Sequence, residues 1–291
     1  MSEIEADSLI ERSVQRLFAG QVDSGVRERV EAGAFDARLW QLVVEAGFPL
    51  ALAAEAAGGI GESWSAMAPV LHGVGYWQVP LPLAETMVGA LLLSSAGLDV
   101  PAGPIALIEL GQGNDLRANG DGDALTLSGT VPHVAWARRA RTALVSLPGR
   151  LASIDLRARG VECSEALDLA CMPSDVLRLD GVTCLAQAAF VWPLLQPVWT
   201  LGALARSLMM VGALESALEQ AVRYAGERVQ FGRPIGSNQA LQQQLALMAG
   251  DVAAARMSAL AAAADAPNST RADAPAAPYS IAVAKVRCGE A

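Results

Sequence analysis

Residues 223–248 read RYAGERVQFGRPIGSNQALQQQLALM, and the reading of this stretch decides the fold. It is the end of one helix, a tight turn and the start of a second helix. Gly232, Pro234 and Gly236 punctuate the turn, and Ser237 or Asn238 can cap the second helix. A plain helical hairpin needs only that punctuation. It does not need Arg228, Phe231 and Gln239 at these spacings.

Working outward, LLQPVWTLGALARSLMMVGALESALEQAVRYAGERV upstream predicts one helix of roughly thirty residues, far above the usual length. Downstream, Leu241, Leu245, Met248 and Val252 form a buried stripe. APNSTRADAPAAP is a Pro-rich loop, and a third helix begins near Tyr279. Residues 186–291 therefore read as a C-terminal helical domain. In residues 101–185 the period changes. GPIALIELG, DALTLSGTVPHVAWA, RTALVSLPG and LASIDLRARGVECSEAL are short β-like runs divided by Gly, Asn and Asp turns, which predicts a central β-domain. NGDGD at 119–123 resembles a calcium loop but lacks the glutamate at its twelfth position, so a hairpin turn is expected. Residues 1–100 read as helical. SLIERSVQRLF puts Leu9, Ile10, Val14 and Leu17 on one stripe, and DARLWQLVVEAGF is a second amphipathic helix stopped by Gly47 and Pro49. No internal repeat is visible.

Composition bounds the function. The 291 residues are 53% hydrophobic but only 5% aromatic, which favours helices packed closely on helices. A net charge of −9, with no long basic run, argues against nucleic acid or an anionic membrane as partner. Arg138, Arg139 and Arg141 read as a solvated turn. The apolar runs read as too short or too interrupted to span a membrane. The acidic, polar N-terminus does not resemble a signal peptide. The four cysteines (Cys163, Cys171, Cys184 and Cys288) lack metal-ligand spacing and read as reduced, partly buried thiols of a cytoplasmic protein, with no metal site. His72 lies in an apolar stripe and reads as an ordinary hydrogen-bonded histidine.

The order helices, β-domain, long helices resembles the acyl-CoA dehydrogenase family of flavoproteins. Residues 212–256 carry the resemblance best, and residues 40–82 carry it more loosely. It implies an α+β multidomain fold, with a helical N-terminal domain, a central β-barrel-like domain and a C-terminal helical bundle that is incomplete, as if truncated, relative to the family. It implies FAD as cofactor, an acyl-CoA thioester as substrate, a dimer or tetramer, and an electron-transfer flavoprotein as acceptor. In the family the R-x-x-F-G…Q element reaches the FAD of a neighbouring protomer. By resemblance Arg228 pairs with the pyrophosphate, Phe231 packs near the adenine or ribose, and Gln239 hydrogen-bonds the dinucleotide. A guanidinium suits bidentate contact with a diphosphate, and helix N-terminal amides favour an anion. Without a flavin, Arg228 would instead pair with Glu227 or Glu219, and Gln239 would merely cap a helix.

The chemistry is less complete than the cofactor element. The family uses a glutamate base to remove an α-proton while hydride leaves Cβ for the flavin. One version of the family keeps that base in the long helix, where the matching residue here is Gly202. The supporting arginine is matched by Ala203, with Arg206 one turn on. The other version keeps its base at a position that lies past Ala291. The flavin-edge segment falls at His133, Val134 and Ala135, whose main-chain groups can still touch the ring. His133 reads as a structural turn residue more readily than as a base. The catalytic residues are therefore unassigned. Two readings remain: a dehydrogenase subunit whose partner chain supplies the base, or a structural or regulatory flavoprotein-like subunit. A complete homomeric enzyme would need Glu215, Glu219 or Glu227 to face the flavin.

Overall fold

The computed structural model describes residues 3–111, 113–120, 122–190, 194–267 and 278–291, without the side chains of residues 3–9, 123 and 278. Helices come first: α1 (Glu3–Gln21), α2 (Ser24–Glu31), α3 (Ala37–Glu45), α4 (Trp64–Tyr76) and α5 (Leu83–Ser95). Short polar side chains start three of them. Asp23, Asp36 and Ser63 accept from the backbone N–H groups of Val26, Leu39 and Ala66, which satisfies amides that a helix start leaves without partners. Gly47 comes after α3 with φ +76, a left-handed conformation that favours glycine. The stripe expected on α1 buries Val14 and Phe18 and half-buries Ile10 and Leu17. The Leu9 side chain lies outside the described residues.

The strands build two sheets. One has the order β1 (Ile105–Glu109), β4 (Thr142–Leu147), β5 (Arg150–Asp155), β8 (Ala186–Ala189). Its β1–β4 pair is parallel and the rest is antiparallel. The other is antiparallel, with the order β2 (Arg117–Asn119), β3 (Thr126–Ala135), β7 (Ser174–Thr183), β6 (Val161–Ser164). NGDGD joins β2 to β3 as a hairpin connection, with Asp121 outside the described residues. Ala106, Ile108, Leu127, Val145 and Leu177 sit in a core of the sheets' own.

Helix then returns. α6 (Pro197–Glu227) runs for 31 residues, the two-stranded hairpin β9 (Val229–Gln230) and β10 (Arg233–Pro234) turns the chain, and α7 (Gln239–Asp265) and α8 (Pro278–Glu290) complete it. α6 packs against α4, α5, α7 and α8, so the helices before and after the sheets share one apolar core. The α4–α6 crossing is close because of two glycines. A Cβ on Gly75 would lie 1.7 Å from the carbonyl oxygen of Met209, and one on Gly212 would lie 2.0 Å from that of His72. The Pro-rich loop lies, but for its ends, outside the described residues.

Three expectations need correction. α6 and α7 are long and apolar enough, by length and composition, to cross a membrane, because helical continuity joins runs that look interrupted in the sequence. α6 is nevertheless a core helix that packs against four others. Arg138 is not a solvated turn residue: its backbone N–H and its Nε both donate to Asp175 at 2.8 Å, and Asp175 is fully buried. Cys163 and Cys171 are exposed rather than partly buried, although all four cysteines are free thiols.

Candidate functional site

The site is built from two places on α6. Near its start, Trp199, Gly202, Ala203 and Arg206 form one wall of a cleft of about 570 Å³. Glu85 and Val88 of α5, Leu107 of β1, His133 and Ala135 of β3, and Lys285 of α8 also line it. Each wall is fixed from behind. The buried carboxylate of Glu109, at the end of β1, accepts from the Trp199 backbone N–H at 3.1 Å and so ties the sheet to the first turn of α6. Burial pushes the Glu109 carboxyl above its ordinary value. On the opposite wall, Arg206 Nη2 donates to Glu85 Oε1.

β3 reaches the cleft through a break in its ladder. The register with β7 shifts between Val131 and Val134, and inside that bulge His133 adopts φ +58. Pro132 has no N–H to give the ladder, which is why the bulge falls there. His133 is exposed at the cleft, Ala135 lines it, and the Val134 side chain turns into the sheet core. The turn reading of His133 therefore describes its backbone, and its side chain still faces the cleft. Asp175 and Arg138 pin the far end of this segment.

At the other end of α6, Arg228 is the C-cap, and its carbonyl accepts from Ile235 N at 2.8 Å to close the hairpin. Phe231 has φ +52 and is 102% exposed. Asn238 caps α7 by accepting from Ala240 N at 2.9 Å, so Gln239 is not the cap. The side chains of Arg228 and Gln239 make no hydrogen bond or ion pair among the described residues. Glu219, one conceivable partner for Arg228, accepts instead from the Tyr76 hydroxyl and pushes that phenol's pKa up. An arginine, a glutamine and an aromatic ring thus stand free on one exposed turn. That donor set fits a phosphate-bearing ligand with a planar base.

The glutamates considered for a relocated base lie elsewhere. Glu215 and Glu219 line a different groove, with His72, Tyr76 and Arg256. Glu215 is not solvated: one oxygen lies 2.7 Å from His72 Nε2 and the other accepts from Arg256 Nη1 at 2.9 Å. His72 is thereby the hydrogen-bonded boundary residue expected from its stripe. Sequence reasoning misses Glu85, Glu109 and Lys285. A lone acid inside the apolar run PLPLAETMVGALLL is the available signal for Glu85.

Residues 192–291 match the family model described as Acyl-CoA dehydrogenase, C-terminal domain. Acyl-CoA dehydrogenase FadE27 of Mycobacterium tuberculosis is 31% identical over 242 residues, covering 73% of this chain and 62% of the relative. Acyl-CoA dehydrogenase IpdE2 of the same organism is 29% identical over 236 residues, covering 76% and 64%. The chain thus spans under two thirds of the length of either relative. Among solved structures, a variant of the Tcur3481-Tcur3483 steroid ACAD superposes with a TM-score of 0.80 at 25% identity, covering 99% of this chain and 88% of that one. Butyryl-CoA dehydrogenase from Megasphaera elsdenii superposes with a TM-score of 0.81 at 17% identity, covering 100% and 85%. The chain has the acyl-CoA dehydrogenase fold and belongs to the acyl-CoA dehydrogenase family.

Proposed function

We propose that the chain is a subunit of an FAD-dependent acyl-CoA dehydrogenase acting on a CoA thioester, and that it is the half without the base. One observation carries this reading. Gly202 and Ala203, which by resemblance match the family's glutamate and arginine, line the cleft, while the side chains of Arg228 and Gln239 on the turn are without partners among the described residues. A Cβ on Gly202 would meet nothing within 4 Å, so the space for a base is present and unfilled by this chain.

The turn and the cleft lie at opposite ends of α6, about 39 Å apart along the helix axis. That separation favours a turn that serves a flavin held by another protomer. Arg228 then clamps the pyrophosphate, Gln239 hydrogen-bonds the dinucleotide and Phe231 covers it. The main chain of His133, Val134 and Ala135 lies at the flavin edge of this chain's own cleft. FAD, when bound, accepts the hydride that leaves the substrate Cβ. The base that removes the α-proton comes from the partner chain. The likeness to a steroid ACAD supports a bulky acyl group. An electron-transfer flavoprotein is the acceptor, the assembly is a dimer or tetramer, and the compartment is the cytoplasm. Assembly uses residues 193–265, where Leu247, Met257 and Tyr224 leave apolar surface exposed.

A structural or regulatory subunit without dehydrogenase chemistry is the second reading. It is favoured by the fact that Glu85, the one acid among the described residues lining the cleft, is engaged by Arg206. The visible spectrum of the protein purified alone and with its partner chain separates the two. A flavin band that appears on co-expression and bleaches with acyl-CoA supports the dehydrogenase reading. A complex that never acquires flavin refutes it.

A further inference from the structure

The cleft has a polar end that neither its fold nor the flavin explains. Glu85 lies in the first turn of α5, within a run of buried apolar residues, and is only 6% exposed. Its Oε1 accepts from Arg206, whose side chain is 43% exposed. Its Oε2 is buried and has no hydrogen-bond partner, one of two such side-chain atoms among the described residues. A buried carboxylate oxygen left without a donor costs free energy, and a folded protein that tolerates one calls for an explanation. The helix N-terminus and Arg206 account for a negative charge at this place. They do not account for the bare oxygen, because Arg206 reaches only the other one. Glu85 lines the cleft beside Val88, Leu107 and Ala203, with His133 and Lys285 also in the lining, so a ligand in the cleft lies against the residue that carries the unused acceptor.

We propose that Glu85 Oε2 accepts a hydrogen bond from a hydroxyl group carried by the acyl part of the bound thioester, so that the cleft selects hydroxylated acyl groups over plain hydrocarbon ones. This rests on the acyl-CoA reading of the chain. Arg206 orients the carboxylate by holding Oε1, which leaves Oε2 as the oxygen without a donor. A site built around a buried acceptor discriminates strongly against an analogue that lacks the donor, because the acceptor then stays unpaired.

The test uses the full chain, with any partner chain and flavin it carries, and measures quenching of tryptophan fluorescence, since Trp199 lines the cleft. The probes are ω-hydroxyacyl-CoA thioesters of graded length and their acyl-CoA counterparts without the hydroxyl. At the length that places the hydroxyl at Glu85, the hydroxylated member binds roughly tenfold tighter in the wild type. Glu85→Ala abolishes that difference between the two series. Equal binding of the two series at every length in the wild type overturns the proposal, and so does a preference that survives in Glu85→Ala. If neither series binds, the acyl-CoA reading fails together with it. Should Glu85→Ala not fold, the wild-type comparison of the two series still decides.

Discussion

His72 Nε2 lies 2.7 Å from Glu215 Oε2, and this contact ties α4 to α6 in a groove separate from the cleft. The histidine hydrogen bond, with Arg256 at the second oxygen, holds the Glu215 carboxyl below its ordinary value. A carboxyl whose folded-state pKa is depressed contributes stability that is present above its unfolded pKa and is lost as pH falls through the folded one. The Glu215→Gln protein is therefore expected to melt earlier than wild type at neutral pH. The gap should narrow as the solution is acidified below the usual carboxylate range. Melting curves from neutral to acidic pH check this, and a gap independent of pH contradicts it.

Gly212 meets the backbone of α4 rather than a side chain, so nothing soft can move aside for a Cβ. Gly212→Ala is expected to destabilise the chain by about 1–3 kcal/mol, because overpacking forces the backbone to shift. Helix propensity acts in the opposite direction and is smaller. Gly226, also on α6, has nothing within 4 Å, so Gly226→Ala serves as the control and should be neutral or stabilising. Denaturant unfolding of the two variants ranks them.

Gly202 offers the converse case. Its missing Cβ faces open space in the cleft, so Gly202→Glu should fold and gain about 0.5–1 kcal/mol of helix propensity. It also sets a carboxylate where the family keeps its base. With both proteins purified without a partner chain, loss of α-deuterium from a labelled acyl-CoA should then appear in the variant and be absent in wild type. A variant that folds, binds acyl-CoA and exchanges no deuterium would remove Gly202 from the base position.

On the reading that Arg228 holds the flavin pyrophosphate, Arg228→Ala deletes a charge-assisted contact worth roughly 1.5–3 kcal/mol, so flavin affinity of the assembled protein should fall about tenfold or more. Arg228→Lys should recover only part of it, since an ammonium lacks the planar fork. Arg223→Ala, over one helical turn earlier, should change little. Flavin retention after gel filtration reads all three variants. Equal retention by Arg228→Ala and Arg223→Ala would reduce the turn to a helical hairpin.

Assembly gives a further expectation. Sedimentation at micromolar concentration should show a dimer or tetramer, alone or with a partner chain. A well-behaved monomer of 30.2 kDa in every preparation counts directly against it.

The sequence made the long helix legible because helical spacing of apolar residues continues without a break from Val198 to Val222. β1, β3, β4, β5 and β6 were legible because apolar runs lie between Gly, Asn and Asp turns, whereas β2, β7 and β8 fall outside every run read as β-like. α2 was not, since eight residues with Val26 and Val30 as their only buried positions carry too little periodic signal. Of the site, the turn at 228–239 stood out because its residues are close together in the chain, and the roles of Arg228, Phe231 and Gln239 came from the family resemblance. The cleft was not. Glu85 and Arg206 are 121 residues apart, and Glu109 meets Trp199 across 90. Neither pairing has a local pattern, and only packing of α5 and the sheet on α6 brings them together.

The exposed apolar side of α7 has a further consequence. Of its most apolar eighteen-residue window, 22% is buried within this chain. A helix left so bare makes completion of the fold a second-order process: its rate and its midpoint scale with the amount of complementary surface available. A newly synthesised chain without that surface is prone to aggregation and proteolysis. On the proposed reading of a partner chain, balanced production of the two chains is therefore expected to matter, through Leu247 and Met257 rather than through any residue of the cleft.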